Sequence, residues 1–102
     1  MKQIIEGKVY NTETAEELAG ANAGLSTSDF GHWREALYRT KKGAYFIAGG
    51  GGPRTRWAVA ARGGGTGGSA GIKAVSTDEA REWVEKYAND EYETIFGAAP
   101  EA

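Results

Sequence analysis

The chain has 102 residues, 40% apolar, 25% charged and 11% aromatic, with 16 glycines, one histidine and no cysteine. That length makes one ordinary domain with a modest core. The missing cysteines exclude disulfides, thiolate catalysis and cysteine-held zinc, and a net charge of −2 is not the basic balance of a nucleic-acid-binding domain.

In chain order, Lys2 to Tyr10 reads as a short strand or hairpin with Gly7 at its turn or bulge. Asn11 or Thr12 is placed to cap a helix with Glu13, Glu16 and Glu17 near its positive end and Ala15, Leu18 and Ala19 as its apolar face. Gly20 to Gly24 ends it. Ser26 to Phe30 reads as a capped turn, the serine and aspartate bonding back to nearby backbone N–H groups. Trp33 to Thr40 is compatible with a helix, but its end leads through Lys41-Lys42-Gly43 into the β-prone Tyr45-Phe46-Ile47-Ala48, the pattern of a hairpin.

Gly49 to Pro53 then predicts a break. Thr55 to Arg62 alternates, with Trp57, Val59 and Ala61 on one side and Arg56 and Arg62 elsewhere, which predicts a strand with one buried face. A second glycine-rich connector, Gly63 to Gly71, precedes the candidate strand Ile72 to Val75. Ser76-Thr77-Asp78-Glu79 fits a capping box, and Ala80, Trp83, Val84 and Tyr87 form one apolar helical stripe buried against the sheet. Asn89 or Asp90 starts a further turn with Tyr92, Ile95 and Phe96, stopped by Gly97. The expectation is a single α+β domain over residues 1–97: about four antiparallel strands, with helices at both chain ends packed on one face. Residues 98–102 are expected to be a loose tail. No apolar run approaches the roughly 20 residues of a membrane span, and Met1 to Glu6 lacks a signal-peptide stretch. A cytoplasmic protein is expected.

Charge is segregated along the chain. Residues 31–75 carry eight basic residues against Glu35 alone, whereas residues 76–102 carry eight acids against Arg81 and Lys86. Two candidate partner-facing surfaces follow. One is an acidic face of Asp78, Glu79, Glu82, Glu85, Asp90 and Glu91, whose spaced negative charge imitates a nucleic-acid backbone. The other is a basic patch of Lys41, Lys42, Arg54, Arg56 and Arg62, suited to a protein partner or an anion. Neither glycine stretch is followed by the Lys-Ser or Lys-Thr of a nucleotide-binding loop, so both read as flexible connectors. His32 beside Ser26, Ser28 and Asp29 matches no nucleophile motif, and no catalytic residue, cofactor or metal is expected.

The segments Gly24 to Phe30 and Glu35 to Phe46 resemble small uncharacterised proteins carried by phages and integrative elements of anaerobic bacteria. Gly7 to Ala15, Glu79 to Trp83 and Glu91 to Phe96 are similar to the same group, so that the resemblance spans roughly residues 3–97, least in the glycine-rich middle. It implies an origin in mobile DNA, where small acidic single-domain proteins inhibit host defence, CRISPR–Cas complexes included. The expected function is accordingly an anti-CRISPR protein that binds a Cas protein or ribonucleoprotein complex in the host bacterial cytoplasm without catalysis. Two other readings stand beside it: an anion- or nucleotide-signal-binding sponge, and a sheet-based binder of single-stranded nucleic acid.

Overall fold

The computed structural model describes all 102 residues. Lys2–Ile5 (β1) and Lys8–Asn11 (β2) form an antiparallel hairpin. Its turn residues, Glu6 and Gly7, both have positive φ (50° and 77°), the two-residue geometry that matches strand twist. Glu16–Asn22 (β3), Trp33–Arg39 (β4) and Tyr45–Gly51 (β5) follow, then the short strands Val59–Ala60 (β6) and Thr66–Gly67 (β7), and Ser69–Val75 (β8). The main sheet is antiparallel in the order β3-β4-β5-β8, while β6 and β7 pair only with each other. Thr77–Tyr87 (α1), a 3-10 turn over Asn89–Glu91 and Tyr92–Phe96 (α2) complete the chain. The expected α+β class with four antiparallel strands is what the structure shows.

The N-terminal helix is not formed. Asn11 does begin a helical turn: its side chain accepts from the Glu13 N–H at 2.9 Å and its carbonyl from that of Ala15 at 3.0 Å. The turn does not propagate, because a helix this short is marginal in water, whereas the same residues pair with β4 from Glu16↔Arg39 to Asn22↔Arg34. Both helices consequently lie in the C-terminal third. Trp33 to Arg39 is a strand throughout, in register with β5 from Trp33↔Gly51 to Arg39↔Tyr45.

Gly49 to Gly51 are not a break but the end of β5; the break comes only at Gly52 and Pro53. A Cβ on Gly49 would stand 2.8 Å from the Glu35 Cα, one on Gly50 2.8 Å from the Ser69 carbonyl oxygen, and one on Gly51 2.9 Å from the His32 carbonyl oxygen. Glycine is there because backbone crosses at contact distance, not because the chain needs freedom. The connector reading holds only for Gly63, Gly64 and Gly65, whose φ values of 85°, 104° and 78° make the β6–β7 turn. The expected strand over Thr55 to Arg62 shrinks to Val59–Ala60. The Thr55 hydroxyl donates to the Gly52 carbonyl and accepts from the Trp57 N–H, curling residues 52–57 into a turn. Val59, expected inside, is 47% exposed.

Strand alternation divides the core between two faces of the sheet. On one face Leu37, Ile47 and Trp57 meet Ala80, Trp83 and Val84 of α1. On the other, Phe46, Ala48 and Ile72 are covered by Ile5, Tyr10 and Ala15 from the N-terminal segment, with Tyr38 stacked on Phe46 at 5.0 Å. The capping box forms as read: Ser76 Oγ accepts from the Glu79 N–H and Glu79 Oε1 from the Ser76 N–H, at 3.1 and 2.9 Å. Arg39 joins α2 to the sheet, donating to the Ile95 carbonyl at 3.4 Å and pairing with Glu16 at 3.0 Å. Tyr87, expected in the core, lies at its rim and is 37% exposed. It is held edge-on to Trp33 at 4.9 Å between ring centroids.

Candidate functional site

The centre of the helix-facing side is a buried carboxylate. Glu35 is 5% exposed. One of its oxygens accepts from the Trp83 indole and the other from the Trp57 indole, each at 2.8 Å. Arg56 Nε closes the group at 3.3 Å from the same oxygen that Trp57 uses. Lys73 Nζ lies over the Trp57 ring at 5.2 Å from its centre. The cluster ties together a strand, a loop and a helix whose residues are 22 and 48 positions from Glu35. A carboxylate held by two indole N–H groups and a guanidinium is a fixed point of the core. Sequence reasoning passed over Glu35, although two signals mark it. It is the only acid among residues 31–75, and the period-two pattern Trp33, Glu35, Leu37 puts it on the inward face.

The acidic residues stand where the helix pattern puts them. Asp78, Glu79, Glu82 and Glu85 on α1, Asp90 and Glu91 in the 3-10 turn and Glu93 on α2 are all exposed. The only two ion pairs in the protein are Arg39–Glu16 and Arg56–Glu35, so none of these seven carboxylates has a cation within salt-bridge distance. The basic residues of α1 face aromatic rings instead, Arg81 over Phe96 at 5.5 Å and Lys86 over Tyr87 at 5.2 Å. The capping hydrogen bond from the Ser76 backbone, aided by the Ser76 hydroxyl, holds the Glu79 carboxyl below the usual carboxylate range. Asp78, Glu82 and Glu85 follow i, i+4, i+7 spacing and span about 10 Å of helix rise. Three or four phosphates cover a similar rise on one DNA strand.

The basic residues do not form one patch. Lys41 and Lys42 occupy the β4–β5 turn beyond Arg39 and Tyr45. Arg54 and Arg56 lie in the loop after Gly51, at the opposite end of the same strand pair, about 20 Å away at the usual rise per residue. Arg62 sits in the β6–β7 turn. Arg56 is committed in part to Glu35, while Arg54 lies 6.0 Å from the centre of the Phe30 ring and pairs with no acid.

The aromatics interleaved with these charges give no open row for stacking bases, since Phe46 and Trp57 are buried and Tyr45 packs against Phe96. His32 contacts the Leu25 carbonyl at 3.3 Å through Nδ1, and Ser26 and Ser28 bond to each other. No base faces a hydroxyl there. No three His, Asp or Glu side chains gather closely enough to hold a metal ion, and no helix is long and apolar enough to cross a membrane. Comparison with protein-family models, curated proteins and solved structures finds no match to this chain.

Proposed function

We propose that the protein is a mobile-element inhibitor of host defence, an anti-CRISPR protein, which docks on a Cas protein or effector complex without catalysis. The acidic face is its docking surface, offered to a basic channel that otherwise receives nucleic acid. The observation that carries this reading is the set of seven exposed carboxylates between Asp78 and Glu93, none paired with a cation. An excess of like charge lowers stability through self-repulsion, and its counterpart is fast, salt-sensitive association with a surface of opposite sign. The capping box orders the first turn of α1, and the Trp83–Glu35 bond with the apolar core holds the helix on the sheet, so that little ordering entropy is lost on docking.

The test is interference. The protein is expressed in bacterial strains carrying functional CRISPR systems of each type, and plating of a targeted phage is counted. Restored plating in one type, abolished by reversing Asp78, Glu82 and Glu85 to lysine, is the expected outcome. The reversed protein should keep its fold, because exposed substitutions usually shift stability by less than about 0.5 kcal/mol each. Unrestored plating in every type would overturn the inhibitor reading. Full inhibition by the reversed protein would remove the acidic face from it.

A further inference from the structure

We propose that the hollow between the loop after β5 and the edge of α1 binds the phosphate head of a small, ring-bearing phosphomonoester. It is lined by Trp33, Arg54, Thr55, Arg56 and Tyr87, together with the buried Glu35. Two arginines line the hollow, and a guanidinium carries forked donors suited to a tetrahedral oxyanion. Their charges are unequal in availability. Arg56 is balanced by Glu35, which it meets through Nε, leaving its terminal nitrogens. Arg54 has no acid partner, so the hollow keeps one uncompensated positive charge.

The loop is built to hold its shape. Arg54 N–H donates to the Phe30 carbonyl at 2.9 Å, and Thr55 N–H to that of Gly52 at 3.2 Å. Thr55 Oγ1 bonds both Gly52 and the Trp57 N–H, and the buried Trp57 anchors the far end. Such pre-ordering lowers the entropic cost of binding.

Size and surroundings select the ligand. The hollow measures about 220 Å³, below the roughly 300–1,000 Å³ of sites that engulf a whole drug-sized molecule. It accommodates a phosphate head and leaves the remainder of the ligand against the half-exposed rings of Trp33 and Tyr87. The neighbouring hollow, which shares Arg56 and Tyr87 with it, is lined by Glu79, Glu82 and one further cation, Lys86. Those carboxylates repel an extended polyanion, which favours a small phosphomonoester over a nucleic-acid strand. This proposal does not depend on the acidic face meeting a partner.

The experiment is a titration of the isotope-labelled protein followed by nuclear magnetic resonance, with the indole N–H signals of its three tryptophans as reporters. Inorganic phosphate, ribose 5-phosphate, adenosine monophosphate and a single-stranded oligonucleotide are added separately. Saturable shifts of the Trp33 indole and the Arg54 and Arg56 amides are expected with all three small phosphates, adenosine monophosphate binding tightest through ring stacking. Arg54→Ala should weaken binding by about tenfold or more, and Arg54→Lys should weaken it less. The Lys41→Ala, Lys42→Ala double variant should bind as the parent does. Absence of saturable shifts with every small phosphate overturns the proposal, and so does unchanged binding by Arg54→Ala. Parent-like binding by the lysine variant would reduce the effect to general charge and overturn the forked-donor site, and tighter binding of the oligonucleotide would replace the ligand class.

Discussion

Truncating Glu35 should be the most damaging single change to this protein's polar interior. In Glu35→Ala both indole N–H groups, now at 2.8 Å from a carboxylate oxygen, lose their acceptor in a region where Trp57 and Trp83 are each 3% exposed. A buried donor left unpaired costs about 1–3 kcal/mol, so the two indoles together account for about 2–6. Arg56 adds little, because its side chain is 45% exposed and water takes up its charge. The expected loss is about 3–5 kcal/mol, in line with removing one partner of a buried charged group. Against the 5–15 kcal/mol of a typical domain, that is a large share. Glu35→Gln keeps the shape but presents one oxygen and one NH₂, so one indole faces a donor and the loss falls to about 1–3 kcal/mol. Urea unfolding followed by tryptophan fluorescence measures both. In a double-mutant cycle with Trp57→Phe, which removes one of the donors, Glu35→Gln should cost less than it does alone. A Glu35→Ala protein within about 0.5 kcal/mol of the parent would refute the reasoning and show that α1 is held without the carboxylate.

Trp83→Ala empties the largest side chain of α1 from the core and should cost about 3–5 kcal/mol, read as a fall in melting temperature; an unchanged midpoint would mean that α1 does not pack as described. Gly51→Ala brings a Cβ to 2.9 Å from the His32 carbonyl oxygen and should cost about 1–3 kcal/mol through overpacking, whereas alanine at the open, positive-φ Gly64 should cost only about 1–2 kcal/mol of backbone strain. Similar strand hydrogen-exchange protection in Gly51→Ala and the parent would contradict the close crossing. The Glu79 carboxyl is held below its ordinary pKa by Ser76, so its ionised form stabilises the fold above the unfolded value. That contribution should disappear as pH falls through the lower folded value. Glu79→Gln, compared by melting curves between neutral pH and pH 3, should narrow its gap to the parent on acidification; a constant gap would remove the capping carboxylate from the pH response.

Several elements were legible because their causes are local. The α1 helix is specified by a capping box and an i, i+3, i+4, i+7 stripe that lie within twelve consecutive residues, and it forms as read from Ser76 to Tyr87. The β4–β5 hairpin follows from a glycine with φ of 89° at Gly43 between two β-prone runs. The exposure of Asp78, Glu82 and Glu85 follows from that helix's period, before any tertiary contact is known.

What the sequence alone did not decide depends on residues far apart in the chain. Asn11 to Ala19 carries the cap and spacing of a helix, yet β4 offers a strand partner, and ladder pairing outweighs the weak preference of a short helical segment. Gly49 to Gly52 reads as a break until backbone from residues 29–35 and 68–69 is brought against it; only the crossing shows why no side chain fits. The basic residues look like one patch in sequence but are separated along the sheet, because a strand carries its two ends apart at about 3.3 Å per residue. Glu35 shows the same division. Its inward position was present in the alternation of Trp33, Glu35 and Leu37, but its two indole partners come from 22 and 48 residues away. Local chemistry specifies which faces are apolar and which turns can form, whereas the partners of a buried charge are set by the burial of both faces of the sheet at once.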